Sequence, residues 1–129
     1  MKRRIRTRDD NGQTMVEFIL VLPVLLIVLF GIVQFGITFK DYVTLTDAVR
    51  AGARTAAVSR NSANPAADTI ARVKSASDLT PASVAVTVTS TWVHGDDVVV
   101  TGKYPYSISL FGVVVASGQL STTTTERVE

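Results

Sequence analysis

Residues 16–40 read VEFILVLPVLLIVLFGIVQFGITFK, and the 22 residues of 18–39 contain no charged side chain. As a helix rising ~1.5 Å per residue, this run is about 33 Å long, close to the thickness of the hydrocarbon core of a bilayer. A helix of a soluble protein usually has one polar face, but only Gln34 and Thr38 are clearly polar here. The stretch therefore predicts a membrane-spanning helix rather than a buried helix of a globular protein.

The charges on either side of the apolar run are asymmetric. Residues 1–12 contain five basic and two acidic side chains, so the other residues of this 129-residue chain hold eight basic and nine acidic ones. By the positive-inside rule, the N-terminus is predicted to be cytoplasmic and the C-terminal part exported. Because the basic excess is confined to this leader, no basic patch for nucleic acid is expected.

A cleavable secretory signal is the nearest alternative for such an N-terminal segment. The apolar region of a secretory signal is usually ~7–15 residues long and is followed at once by a small-x-small cleavage site. Here the apolar run is longer, and Ala51-Gly52-Ala53, which fits the small-residue pattern, lies well downstream. The pattern favours a retained membrane helix.

A glycine and a glutamate stand five residues apart before the apolar run, at Gly12 and Glu17. In one interpretation Thr14 caps the helix and Glu17 completes a capping box. In the other, the chain is cut between Gly12 and Gln13, which places a free amine one helical turn from the Glu17 carboxylate. A charge near the hydrocarbon edge is costly unless it is paired, within one molecule or between neighbours. The spacing alone leaves both interpretations open.

The residues around this glycine resemble a known processing signal. Gly12, the following QTMV and then Glu17-Phe18 resemble the cleavage signal of type IV prepilins, and GQTMVEFILVLPVLLIVLFGIVQFG resembles the TadE-like pseudopilins of tight-adherence (Tad/Flp) pilus systems. AVRAGARTAA, residues 48–57, is similar to the segment that follows the anchor in that family. The resemblance covers roughly Asn11 to Ser59, which is under half of the chain.

The resemblance implies a role for each matching residue. A prepilin peptidase would cleave after Gly12 and leave Gln13 as the new N-terminus. Glu17 would serve in processing or assembly, and Phe18 stands where aromatic residues are common in the family. The implied partners are the peptidase, other pilin subunits and the Tad secretion machinery. The implied location is the bacterial cytoplasmic membrane, with a possible place in a cell-surface adhesion pilus.

The segment 40–60 continues from the apolar run without a helix breaker, so we expect one long helix. Small residues spaced four apart share one face and permit close packing: Ala48, Gly52 and Ala56. Charged residues form a neighbouring stripe: Asp47, Arg50 and Arg54. This stripe is either solvated or part of a helix surface that contacts neighbouring subunits as well as its own domain.

The remaining residues, 61–129, predict a small exported domain. Asn64 and Pro65 are typical of a helix start, and Ala66, Ile70 and Val73 give this short helix an apolar face. Alternating sequences at 83–93, 96–106 and 118–129 predict antiparallel strands. The fold class is therefore α+β, with a long N-terminal helix that extends into the exported domain, a short second helix and a sheet of three or four strands. We expect the helix at 41–59 to pack against this sheet.

Ser107–Gly118 is apolar but too short to span a bilayer. Our first interpretation is burial, as a connection or a fourth strand. The second is an exposed apolar loop that contacts a partner subunit or the membrane surface.

The sequence has no pattern typical of an enzyme. The only histidine, His94, precedes Gly95-Asp96-Asp97, and a His with two carboxylates could bind a metal ion. A polar hairpin turn has the same composition and is the interpretation we favour. There is no cysteine, no nucleophile elbow and no phosphate-binding loop. We predict no catalytic residue, cofactor or metal.

Four regions are predicted: a cleaved leader at 1–12, a transmembrane and assembly helix at 13–39, its continuation at 40–60, and the exported domain at 61–129. The predicted function is a minor pilin or pseudopilin of a Tad-type pilus. The alternative is a permanently anchored single-pass membrane protein with an exported binding domain.

Overall fold

One continuous helix forms the axis of the molecule. The structure is a computed structural model that describes residues 10–129, with side chains from Gly12 onward. Helix α1, Asp10–Val58, contains 49 residues and is therefore about 73 Å long. It includes Pro23 without interruption. Most of the predicted leader, residues 1–9, lies outside the described residues.

A short loop leads from α1 to helix α2, Pro65–Ala76. As predicted, Asn64 is the N-cap, and its Oδ1 accepts a hydrogen bond from the Ala67 backbone N at 3.1 Å. Thr69 is fully buried beside Val73, although its polar side chain gave no sign of this in the sequence. The Thr69 hydroxyl is satisfied within the helix because it donates to the Pro65 carbonyl at 2.8 Å.

Three antiparallel strands follow in the order β1-β2-β3: Ala85–Ser90, Asp97–Leu110 and Val113–Arg127. The α+β class is confirmed, with three strands. β1 ends earlier than the alternating sequence predicted, and Trp92 just beyond it has a positive φ of 57°. The predicted inner face is confirmed, since Val84 is buried and Val86, Val88 and Trp92 pack against the core.

The core lies between the C-terminal half of α1, α2 and the sheet. Its buried members are Leu45, Ala48, Val49, Ala53, Ala56, Val73, Leu79, Val84, Val98, Val100 and Val128. Two glycines allow this close packing. A Cβ on Gly52 would collide with the Val73 side chain, and one on Gly102 would collide with Val49. The expected packing of the helix against the sheet is therefore present, and the small face of α1 contacts the domain's own α2.

β2 and β3 extend well beyond the sheet that β1 shares. β1 pairs with β2 only as far as Lys103, whereas β2 and β3 stay paired from Asp97 to the turn at Phe111-Gly112. We name residues 104–120 the hairpin arm. The first interpretation of Ser107–Gly118, burial, is wrong: this segment forms the end of the arm, and residues 111–119 are exposed. The arm extends past the end of β1 and beyond the core, so no described element buries residues 111–119.

Candidate processing and assembly site

The four predicted site residues lie in the first turns of α1. Gln13 Nε2 donates a hydrogen bond to Glu17 Oε1 at 3.2 Å, so the structure brings these two side chains together at the i, i+4 spacing. Gly12 adjoins Gln13 in the chain and is exposed. The Phe18 side chain is 57% exposed and follows Glu17 directly. The described structure thus holds a carboxylate one turn from the backbone nitrogen of Gln13.

The capping-box interpretation of Glu17 is wrong for the uncut chain. A capping box needs its first residue at the non-helical N-cap position. Helix α1 begins at Asp10, so Thr14 already lies inside the helix and cannot be its N-cap. A capping box therefore does not explain the presence of a glutamate at position 17.

Packing does not require glycine at Gly12. A Cβ built there meets nothing within 4 Å, and its φ is not in the left-handed region. Glycine inside a helix is less stable than alanine by roughly 0.5–1 kcal/mol. Gly52 and Gly102 differ, since a Cβ at either position would collide with core side chains. Gly12 therefore weakens the helix locally without a packing reason.

The apolar part of α1 has the surface of a lipid-facing helix. Its most apolar 18-residue window has a mean hydropathy of 3.0 and is not buried at all in the structure. Its large apolar side chains are 37–71% exposed. Among the described residues, α1 is the one helix long and apolar enough to cross a membrane. The explanation as a core helix of a globular protein is excluded, because none of the residues in this window is buried.

A comparison with known protein families finds a match, and it lies in this part of the chain. The family described as TadE-like protein matches residues 12–54. We name residues 12–54, which are similar to this family, the TadE-like segment. The match begins at Gly12, includes the predicted site residues and ends inside the domain-packed part of α1. Neither a curated protein nor a solved structure matches the chain. The TadE-like segment and its apolar helix fit a membrane-anchored protein related to the Tad pilus.

The TadE-like segment also has a half-buried stripe that the sequence did not predict. Four half-buried positions alternate by three and four residues and so share one helix face: Gly31, Gln34, Thr38 and Asp41. The hairpin arm contacts this part of the helix. Gln34 Nε2 donates to the Ser109 carbonyl at 3.4 Å, and the rings of Phe30 and Phe111 meet edge-on at 5.5 Å. The only signal in the sequence was the two polar residues, four apart, in the apolar run.

His94 lies in the exposed turn between β1 and β2. Within the described residues there is no group of three or more His, Cys, Asp or Glu side chains that could hold a metal ion. Nearby, the Thr91 hydroxyl donates to Asp96 Oδ2 at 2.6 Å, so one of the two candidate carboxylates already takes part in a local turn. The absence of enzymatic activity stays a prediction.

Proposed function

We propose that the chain is a minor pilin or pseudopilin of a Tad-type pilus. A prepilin peptidase removes residues 1–12, and the exposed helix then packs among other pilin helices in the pilus or its assembly complex. The observation that carries the proposal is a lipid-type helix surface that begins directly after a glycine and a glutamate at processing-signal spacing, in a segment that matches the TadE-like family.

Processing requires the first turns of α1 to open. In the uncut chain the bond between Gly12 and Gln13 lies in the helix, where the Gly12 carbonyl is positioned to accept an intrahelical hydrogen bond. Glycine lowers the cost of opening, since it favours the helix less than alanine does. This supports a recognition role for a glycine that packing does not explain.

Cleavage changes the electrostatics of the helix start. It would remove the five basic side chains of the leader and create an ammonium on Gln13. The Gln13 and Glu17 side chains are already in contact at 3.2 Å, so the new charge forms close to the carboxylate. An ion pair at this depth compensates the cost of placing a charge near hydrocarbon. A pair between neighbouring subunits would also fix their axial register.

The exposed apolar surface explains why assembly needs other helices. Transfer of this surface from lipid to water costs ~0.8 kcal/mol for each exposed methylene. No described element covers the helix between Phe18 and Leu29, where the side chains are exposed throughout. Extraction from the membrane is therefore feasible only if other apolar helices replace the lipid. A bundle of pilin helices supplies that environment.

The intact mass of the protein purified from its native host tests the proposal. We expect loss of residues 1–12, and we expect Gly12→Ala to retain them and to leave pili absent or altered. Gly36→Ala is the matched control, because a Cβ at Gly36 also meets nothing within 4 Å. It makes the same change in helix propensity without touching the cleavage site. Retention of the leader in wild-type protein, with normal pili, would overturn the proposal.

Glu17 variants separate processing from assembly. We expect Glu17→Ala to be cleaved normally but to assemble poorly. Glu17→Gln keeps an oxygen that can accept the Gln13 hydrogen bond and removes only the charge. If the ion pair matters, both variants impair pilus formation, as measured by electron microscopy of sheared fibres. Normal pili with Glu17→Ala would show that the carboxylate has no role in assembly.

The alternative, a permanently anchored protein with an exported binding domain, predicts a different result from the same samples. Its leader would remain, and the protein would stay in the membrane fraction whether or not fibres form. The glycine that packing does not require favours the pilin proposal over this alternative.

A further inference from the structure

The end of the hairpin arm is an exposed apolar surface. From Tyr104 to Thr125 the chain has no charged residue. The side chains around the turn are among the most exposed large apolar groups of the domain: Phe111 at 72%, Val113 at 65%, Val114 at 59% and Val115 at 56%. A soluble hairpin normally has polar residues at its tip, since Gly, Asn, Asp and Ser dominate turns. The exposed side chains of this tip are instead those expected in an apolar environment.

The turn itself contains an unfavourable residue. Phe111 has φ 51° and Gly112 has φ 83°, the two positive φ values of a type I′ turn, whose first position favours Asn or Asp. A residue with a Cβ pays roughly 1–2 kcal/mol for the left-handed conformation. A bulky aromatic at this position is therefore hard to explain by turn stability, and its exposed ring indicates a role outside the domain.

Contacts with α1 fix the level of the tip along the helix. The ring of Phe111 contacts that of Phe30, and Gln34 donates to the Ser109 carbonyl. Phe30 precedes Lys40 by ten residues, or about 15 Å along the helix. The tip therefore lies beside the uncharged run 18–39, well on the apolar side of the first charge that follows it.

The arm also has an aromatic residue where the helix becomes polar. Tyr106 is three residues before Ser109 on β2, a distance of about 10 Å along the strand. The same distance along α1 leads from Gln34 to about Lys40. Tyr106 lies against Gly118 of β3, where an added Cβ would be only 3.0 Å from the ring. Tyrosine is enriched at the membrane–water interface. Tyr106 on the arm and Lys40 on the helix therefore mark the end of the apolar surface at the same level.

We propose that the tip of the arm, residues 108–116, inserts into the leaflet nearest the domain and is a second lipid contact beside the helix. The occupant of the apolar tip surface is thus lipid. This inference depends on the membrane helix but not on leader cleavage or on pilus assembly. It gives the exported domain a fixed height and orientation on the bilayer, because two elements enter the same leaflet.

Lipid is favoured over a second copy of the chain because the tip is continuous with the lipid-facing helix. Holding the tip in water would require withdrawal of the exposed helix residues that follow Phe30, among them Val33 and Phe35. The opposing cost comes from unpaired backbone groups on the hairpin edges, which hydrocarbon does not tolerate when they face lipid. Gln34 satisfies one of these groups, the Ser109 carbonyl. The contact of Phe111 with Phe30 sets the depth of the tip, about 15 Å from Lys40 along the helix, so the tip is expected among the acyl chains rather than at the headgroups.

Tryptophan fluorescence in vesicles tests the insertion. The chain has one tryptophan, Trp92, near the β1–β2 turn at the opposite end of β2 from the tip. The double variant Trp92→Phe/Phe111→Trp moves the reporter to the tip. The full chain is reconstituted in phosphatidylcholine vesicles with bromine atoms at a shallow or a deep position of the acyl chains. We expect the tip tryptophan to lose most of its emission, more with deep than with shallow bromines, and to emit at shorter wavelength than in water.

The wild-type protein is the matched control, because Trp92 should be quenched little by either lipid. Unquenched, water-like emission from the tip would overturn the proposal. A triple variant with Val114→Lys added should restore much of the tip emission, since a lysine in the apolar leaflet is unfavourable. Trp92 emission in Val114→Lys alone shows whether the domain stays folded.

A single-cysteine variant distinguishes lipid from a second copy. The chain has no cysteine, so Phe111→Cys creates the only thiol. With lipid at the tip, oxidation gives little cross-linked dimer and dilution of the protein in lipid does not change the quenching. Efficient cross-linking together with loss of bromine quenching would assign the surface to a second copy and overturn the proposal.

Discussion

The two halves of α1 belong to one helix but have opposite environments. Between Phe18 and Leu29 every side chain is exposed and the residues are mostly large: Leu, Val, Ile and Phe. Between Leu45 and Ala57 a stripe is fully buried, and it consists mainly of alanine, glycine and valine. The backbone hydrogen bonds of a helix are satisfied internally in either environment. The first half is suited to lipid because it is uncharged and its side chains are large, whereas the small side chains of the second half allow close packing against protein.

The comparison shows two ways to use an apolar face. In the domain half, small residues let α2 and β2 approach closely, and the core consists of direct contacts such as Gly52 with Val73. In the membrane half, large residues present a broad surface that needs no specific partner. Substitutions in the domain half should change the free energy of unfolding of the domain, whereas matched substitutions in the membrane half should not.

The largest expected effect comes from Leu45, which is fully buried in the core. Leu45→Ala should lower the free energy of unfolding of the domain by about 2–5 kcal/mol, because it removes buried methylenes and leaves a cavity. The measurement is chemical denaturation of the full chain in detergent micelles, followed by the fluorescence of Trp92, which packs against the core.

Leu25→Ala makes the same chemical change in the membrane half, where the side chain is 52% exposed. Its domain unfolding curve should coincide with that of the wild type. If both variants destabilised the domain equally, the two halves of α1 would not be independent and the comparison would fail.

A smaller effect is expected at the glycines. Gly52→Ala places a Cβ against the Val73 side chain, with the Thr69 carbonyl oxygen also 3.5 Å away. Overpacking of this kind costs about 1–3 kcal/mol, measured by the same denaturation. Gly36→Ala has open space around its Cβ and should leave domain stability unchanged. An unchanged Gly52→Ala would mean that α2 can move away from α1 without loss, so that the small face is not needed for packing.

Much of the fold could be predicted because its signals are local. The apolar run predicted the membrane-type helix, Asn64-Pro65 predicted the start of α2, and the period-two alternation of Val84, Val86 and Val88 predicted the inner face of the sheet. Each signal depends on residues that are close together in the sequence. The candidate site came instead from the resemblance of residues 12–18 to a processing signal, and its role stays a prediction.

The arm and its contacts could not be predicted because they depend on residues far apart in the chain. Ser107–Gly118 alternates only at its start, Ser107 to Leu110, and the apolar residues that follow predicted burial in a core. Only the pairing register shows that β2 and β3 continue past the end of β1. The contact of Gln34 with Ser109 joins residues 75 positions apart. The start of α1 was also misplaced. Thr14 fits the N-cap pattern, but α1 already includes the residues from Asp10 onward.

The smallest expected effect lies on the water-facing side of the domain half. Asp47 and Arg50 form the only salt bridge among the described residues, at 3.8 Å, with side chains 70% and 63% exposed. Exposed pairs at this spacing contribute little, because water and salt screen them. We expect Arg50→Ala to change domain stability by less than about 0.5 kcal/mol, no more than the matched control Arg54→Ala.

A double-mutant cycle with Asp47→Ala isolates the pair, using the same Trp92 denaturation at low and high salt. A coupling energy close to zero would confirm that this stripe of α1 is merely solvated in the single chain. A coupling above about 1 kcal/mol, beyond the usual range for exposed pairs, would show that charge as well as side-chain size stabilises the domain half. The stability of the domain half would then depend on two properties of its side chains, their size and their charge.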